Sequence, residues 1–269
     1  MWYNVFVGRK ENNMNNEIQI YNKDCIEFMS NYVEKNIQCI LTSPPYNLTP
    51  RKGGISDSGR YDVYTDWMTE EQYIKWTLNV FKNFNNVLKD DGVVLYNFSY
   101  GIENPALPYT LVVALQKYSN FTLIDTIIWE KYSGMPFPAN KYRLSRKWEY
   151  VYVFVKKGME NNYTNNRNVK TKGKNNQNYY EVVYNYIKAK NNDGQTQKIN
   201  QATFSTDLCT QLLNIYTREG DIVYDPFIGT GTTAMACLQN KRRCIGTEIS
   251  LAQVEYANQR LKNELPLDI

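Results

Sequence analysis

Six short apolar runs, at 38–41, 92–98, 123–129, 150–155, 222–224 and 243–247, alternate with segments of helical spacing or with turn residues. Several are continuous, such as "VVLYNF" and "VYVFV", rather than alternating polar with apolar. That pattern marks strands covered on both faces of a sheet. Between them, 70–88 places Tyr73, Trp76, Leu78, Val80, Phe81, Phe84 and Leu88 at helical spacing. The stretches 105–117, 232–239 and 251–263 read as further helices. Strands alternating with helices predict an α/β fold with a doubly wound, mostly parallel sheet. At 269 residues, one large domain or two small ones fit.

Histidine is absent, which excludes His-based triads, HExxH zinc sites and imidazole acid–base chemistry. Five cysteines (Cys25, Cys39, Cys209, Cys237, Cys244) are scattered without a CxxC pair, so no metal site is expected. An odd cysteine count and a polar N-terminus without signal-peptide character suit a reducing cytoplasm. No apolar run approaches the roughly 18–20 residues of a membrane span, and no membrane partner is expected. Translation from either Met1 or Met14 is compatible with the sequence.

Two stretches break the pattern. The loop 47–66 is rich in Gly, Ser, Pro and charge, and so long a loop usually has a function or lacks order. The second, 156–200, is dominated by Asn, Lys, Gln and Tyr and carries nine Lys/Arg against three acids. The chain's net charge is only +4, so positive charge is concentrated there. One reading is a solvated linker. The other is a nucleic-acid surface, with basic groups for phosphates, Asn/Gln for base edges and tyrosines for packing.

Late in the chain, "DIVYDPFIGTGTTAMAC" reads as strand, turn and helix. Gly229, Gly231 and Ala234 fit the GxGxxG/A nucleotide-binding fingerprint, with Asp225 and Phe227 at the strand end and Thr232 and Thr233 opening the helix. Glycines admit a ligand close to the backbone, and the helix start offers unpaired N–H groups. Glu248 ends the next strand, where a carboxylate suits the two hydroxyls of a ribose. Taken alone, the same pattern serves NAD enzymes. Upstream, Ser205 or Thr206 caps a helix whose first-turn N–H groups are suited to a small carboxylate. Asp24 ends a strand-like run and faces a ligand's adenine or amino group, or simply caps a helix.

Early in the chain, "CILTSPPYN" ends an apolar strand in two prolines and an aromatic ring. An exocyclic amine of a base is a poor nucleophile, because its lone pair is delocalised into the ring. Two acceptors aimed at its N–H bonds draw it toward tetrahedral geometry and stabilise positive charge developing on nitrogen. Ser43 Oγ and the Pro44 carbonyl are candidates; prolines stiffen the backbone and leave carbonyls free. Tyr46 offers a face for a base taken out of the stack.

Together, "TSPPYN", "DPFIGTGTT" and "GTEIS" resemble the β-type S-adenosylmethionine-dependent amino-methyltransferases of DNA, over about 24–256. The resemblance implies a Rossmann-like methyltransferase fold, with residues 1–155 as the catalytic half, 156–200 as an inserted basic recognition region and 201–269 as the cofactor-binding half. It implies Ser43, Pro44, Pro45 and Tyr46 as the catalytic tetrapeptide. Contacts to S-adenosyl-L-methionine would come from Asp24, Cys25, Thr203, Ser205, Asp225, Phe227, Gly229, Gly231, Thr232, Thr233 and Glu248. Its Ser-Pro-Pro-Tyr form is most similar to enzymes that make N4-methylcytosine; adenine N6 is the alternative. Carbon-5 methylation would need a cysteine nucleophile, commonly beside a proline, and no Pro-Cys pair occurs.

The implied partner is double-stranded DNA, touched by Arg51, Lys52, Arg60, Lys131, Arg146, Lys170, Lys172 and Lys174, with Tyr142 nearby. A cognate restriction endonuclease, a bacterial or phage origin and a monomer or homodimer fit the same reading. One departure is that Asn200-Gln201 stands where the family often has His-Pro before Ala202-Thr203-Phe204. A NAD-dependent oxidoreductase and a non-enzymatic nucleic-acid binder are the rival classes. Both leave "TSPPY" without a purpose.

Overall fold

Adjacent residues of the central strands point into two different cores, which is why their sequence reads as continuously apolar. The computed structural model describes residues 17–47, 68–101, 103–135, 141–194 and 204–264. In it, β1 (Ile18–Asn22), β2 (Ile37–Thr42), β3 (Leu88–Phe98), β4 (Phe121–Met135) and β5 (Arg146–Lys156) precede two short strands, β6 (Val169–Lys172) and β7 (Asn178–Tyr180). The chain then forms β8 (Tyr186–Ala189), β9 (Ile222–Asp225) and β10 (Arg243–Glu248). Cys39 and Leu41 of β2, with Val93 and Leu95 of β3, enter one core. Ile40, Val94, Tyr96 and Phe98 enter the other.

Each core has its own helices. α1 (Cys25–Asn31), α2 (Glu70–Val87) and α3 (Leu107–Tyr118) bring Met29, Phe81, Phe84, Leu111 and Leu115 to the second core. α4 (Thr206–Tyr216), α5 (Thr232–Gln239) and α6 (Leu251–Glu264) bring Leu208, Leu212, Ala236, Ala257 and Leu261 to the first. Local chemistry starts three of these helices. Thr69 and Gln72 form a capping box on α2, Asp24 caps α1 and Ser205 caps α4.

The sheet order is β1-β10-β9-β2-β3-β5-β4-β8. Only β5 runs antiparallel to its neighbours; the other pairings are parallel. This is the doubly wound α/β sheet expected. From β2 the chain winds outward to β3, and from β9 it winds the opposite way to β10. β2 and β9 lie side by side, so their carboxyl ends flank the switch point, where such sheets bind ligands.

The expected insertion 156–200 is not wholly outside the sheet. β8 lies within it and adds an edge strand beside β4, with only Ile187 and Ala189 buried. So short an apolar signal is hidden in a Lys- and Asn-rich sequence. β6 and β7 form a separate two-stranded ribbon whose residues are all exposed. Tyr150 and Tyr152 are core residues, whereas Trp148 is 41% exposed. Among the described residues, no helix is long and apolar enough to cross a membrane.

The second core is aromatic. Phe81 is fully buried and meets Tyr96, Phe121 and Phe154 edge-on, at centroid distances of 5.3–5.6 Å. Phe81→Ala is expected to lower the unfolding free energy by about 3–5 kcal/mol, as read by urea denaturation.

Candidate active site

The last residues of β2 and β9 are joined by one hydrogen bond. Thr42 Oγ1 donates to Asp225 Oδ1 at 2.7 Å, with both side chains buried. Asp225 Oδ1 also accepts from the Phe227 N–H (3.0 Å), and Oδ2 accepts from Thr233 Oγ1 (2.6 Å). The turn 226–232 is therefore wound round this carboxylate. Gly231 adopts φ +83°, and a Cβ there would stand 2.9 Å from Ala257 Cβ, so glycine is required on two counts. Glu248 Oε2 accepts from the Gly229 N–H (3.1 Å), tying the turn to the end of β10.

Asp24 and Cys25 follow β1, which is paired with β10 so that Asn22 stands opposite Glu248. Asp24 Oδ1 accepts from the N–H groups of Ile26 and Glu27, so its role as a helix cap is real. Cys25 is buried, and burial pushes its thiol up. Phe227 packs on Trp76 of α2 at 5.6 Å. Thr230 Oγ1 is buried without a hydrogen-bond partner among the described residues. A glycine cradle, an orphaned hydroxyl and a carboxylate one strand over form a set that fits a nucleoside cofactor.

The start of α4 differs from expectation. Its Thr206 N–H and hydroxyl both donate to Asp193 (2.8 and 2.6 Å), so a side chain of the protein takes the place foreseen for a ligand carboxylate. Asp193 also pairs with Arg260, whose guanidinium donates to Thr230 O and Thr232 Oγ1. The Ser205 hydroxyl donates to Lys190 O (2.7 Å) and accepts from the Leu208 N–H (3.2 Å), so it serves as a cap. Thr203 lies outside the described residues.

The tetrapeptide leaves β2 directly after Thr42. The Tyr73 hydroxyl donates to the Pro45 carbonyl at 2.6 Å. Asn47 exchanges two hydrogen bonds with the backbone of Met68 (2.9 and 2.7 Å). The Tyr46 ring meets Phe98 edge-on at 5.1 Å. Its hydroxyl accepts from Ser43 Oγ (3.1 Å) and lies within reach of Asn97 Oδ1 (2.9 Å) and Glu149 Oε2 (3.1 Å). Asn97 and Glu149 carry no signal of their own in the sequence. They stand 51 and 103 residues from Tyr46, and only the β3–β5 pairing brings them together.

The basic residues divide. Lys131 pairs with Glu149 (2.5 Å) and lies over the Trp129 ring, beside the tetrapeptide. Arg146 donates to the Tyr100 carbonyl and stacks over the Tyr100 ring. It lines a groove of about 340 Å³ with Tyr100, Tyr142, Arg143, Leu144, Ser145 and Trp148. Lys170, Lys172 and Lys174 belong to the exposed ribbon and its turn, which the structure does not bring to the tetrapeptide. The chain leading into that ribbon is bonded to Asp91, near the start of β3, and to the carboxyl end of α4. Both anchors lie toward the amino ends of β3 and β9, at the end of the sheet opposite Ser43, which follows the carboxyl end of β2. Arg51, Lys52 and Arg60 lie outside the described residues.

Burial pushes the Asp225 carboxyl up to about 6, while Thr233, Thr42 and the Phe227 N–H pull the other way. Its folded value therefore lies above the unfolded one. The stabilisation is complete in acid, below the ordinary value of 3.8, and is lost as pH rises through about 6. Asp225→Asn removes this titration. The unfolding free energy of wild type minus that of Asp225→Asn is expected to fall by about 3 kcal/mol between about pH 4 and pH 7. Urea denaturation across that range checks it.

A family model described as DNA methylase, for N6 and N4 methyltransferases, matches residues 37–259. The type II methyltransferase M.Cfr9I of Citrobacter freundii is 26% identical over 282 residues, covering 93% of this chain and 89% of that protein. M.BamHI of Bacillus amyloliquefaciens is 27% identical over 91% of this chain and 57% of its own length. Among solved structures, PvuII DNA methyltransferase (cytosine-N4-specific) superposes with a TM-score of 0.70 at 19% identity, covering 94% of this chain and 88% of that one. The complex of M1.HpyAVI with S-adenosylmethionine gives 0.58 at 22% identity, over 91% of this chain and 99% of that one. At those identities the two structures speak for the fold. The family match spans both the tetrapeptide and the glycine turn that meet at this switch point, and the chain belongs to the S-adenosylmethionine-dependent N6/N4 amino-methyltransferases of DNA.

Proposed function

We propose that this chain methylates the exocyclic N4 of cytosine in double-stranded DNA, in a restriction–modification or epigenetic setting. The observation that carries the reading is the orientation of Ser43. Its hydroxyl proton is donated inward to Tyr46, so the oxygen's lone pairs can accept from an amine placed before it. The Pro44 carbonyl is the second acceptor, and Tyr46 supplies a face for the extruded base. A neutral hydroxyl here, rather than a carboxylate, is the form most similar to cytosine-N4 enzymes. The fold likeness to PvuII DNA methyltransferase agrees with it.

S-adenosylmethionine, when bound, supplies a methyl group on positively charged sulfur. The turn of Gly229, Gly231, Thr232 and Thr233 would hold it, with Asp225 beneath the turn and Phe227 beside it. Glu248 would accept from the ribose hydroxyls, and Asp24 and Cys25 would border the adenine. Ser205 would act through the position of α4. For DNA, the aromatic and basic groove around Arg146 suits a strand next to the flipped base, where rings stack and guanidinium groups meet phosphate. The loop holding Arg51, Lys52 and Arg60 would add contacts, and the ribbon with Lys170, Lys172 and Lys174 would add more distant ones. A cognate endonuclease is a partner consistent with such an enzyme.

DNA from cells expressing the chain, digested to nucleosides and weighed by mass spectrometry, is expected to contain N4-methylcytosine. N6-methyladenine alone would overturn the assignment to cytosine. Ser43→Ala is expected to lower the methylation rate by about 100-fold, the scale for losing one hydrogen-bonding group aimed at developing charge.

A further inference from the structure

We propose that Glu149 is the terminal proton acceptor of the methyl transfer, reached from Ser43 through the hydroxyl of Tyr46. The inference rests on the reading of Ser43 as acceptor for an exocyclic amine, whether on cytosine or adenine. When such an amine exchanges an N–H bond for an N–CH₃ bond, a proton must leave the nitrogen. Ser43 is a neutral hydroxyl; it can pass a proton on but cannot keep it.

The structure provides a continuous route. Ser43 Oγ donates to the Tyr46 hydroxyl at 3.1 Å, and that hydroxyl faces Glu149 Oε2 at 3.1 Å. Asn97 Oδ1 is a second acceptor at 2.9 Å. The Asn97 amide is oriented by its N–H donating to the Tyr150 carbonyl (2.9 Å), so its oxygen faces Tyr46. An amide oxygen is far too weak a base to take the proton. Of these two acceptors, only the carboxylate can.

In the transfer, the N–H bond breaks and nitrogen keeps the electron pair. The proton bonds to Ser43 Oγ as that hydroxyl's own proton moves to Tyr46, and the Tyr46 proton moves to Glu149 Oε2. Ser43 and Tyr46 finish as hydroxyls, and Glu149 finishes as a neutral acid. Lys131 holds Glu149 Oε1 at 2.5 Å, which keeps the carboxylate in place. The side chains of this pair are 15% and 16% exposed, enough contact with solvent to release the proton after turnover.

The test uses the whole chain, S-adenosylmethionine with a labelled methyl group, and DNA from a host lacking the modification. Single-turnover transfer is counted on DNA as a whole and then assigned to a base. Tyr46→Phe and Glu149→Gln each keep the side-chain shape and break one link. Each is expected to bind DNA within about twofold of wild type and to transfer at least about tenfold more slowly. The double variant should be no slower than the slower single one.

A second readout needs neither cofactor nor turnover. In the free protein, the ¹³C-carboxyl resonance absent from Glu149→Gln should shift in Tyr46→Phe. Either variant at wild-type rate, or an unmoved resonance, would overturn the relay. Methyl found on adenine alone, with both variants slowed, overturns the cytosine reading and supports the relay. Wild type that transfers no methyl to DNA overturns both.

Discussion

The hydrogen bond from Thr42 to Asp225 is the constraint on which the site depends. It joins the last residue of β2 to the last residue of β9 at the point where the winding reverses. A buried carboxylate is tolerated only when its acceptor positions are filled. Asp225 fills them with Thr42, Thr233 and the Phe227 N–H. The cofactor turn is thereby wound round one oxygen pair, and the catalytic tetrapeptide starts from the neighbouring strand end. Transfer between two bound partners requires that their sites not drift apart, since small misplacements cost rate steeply. A short buried bond between adjacent strands meets that requirement with less slack than two loops in solvent would.

The layered fold was legible because burial on both faces leaves a mark in one dimension. The runs "VVLYNF" and "VYVFV" have no polar face to show, since alternate residues enter different cores. β8 left no such mark. Only Ile187 and Ala189 of its four residues are buried, which in a polar stretch resembles noise. The reversed direction of β5 was also unmarked, because an apolar run reads the same whichever way the strand points. The ribbon of β6 and β7, exposed throughout, carries no burial pattern.

Within the site, residues belonging to short contiguous motifs could be found and their partners could not. Ser43 to Tyr46 and Gly229 to Thr233 are local, because a turn and a helix start need particular residues in sequence. Glu149, Asn97, Tyr73 and Asp193 act through space. Glu149 sits in "RKWEYVYVF", where a charged residue near a strand end is unremarkable until pairing brings it to Tyr46. Asp193 shows the opposite error. The helix start at Thr206 is suited to a carboxylate, as its sequence implies, but the acid that meets it comes from 13 residues upstream in the same chain.

The Lys131–Glu149 pair is hard to account for by stability. Taking two opposite charges largely out of water costs several kcal/mol per ion, and apolar replacements of similar volume often do as well or better. Of the neighbouring positions, Trp129 and Tyr150 are buried aromatic residues, whereas Trp148 is 41% exposed and Glu130 pairs with Lys147 at the rim. An ion pair set among them, with one carboxylate oxygen turned to the Tyr46 hydroxyl, is better explained by chemistry than by packing. A tetrapeptide that begins with Asp carries its own charge for a proton leaving the amine. One that begins with Ser does not, and the nearest carboxylate reached through its hydrogen bonds is Glu149. On this argument the serine at position 43 and the partly buried pair on β4 and β5 are two parts of one arrangement.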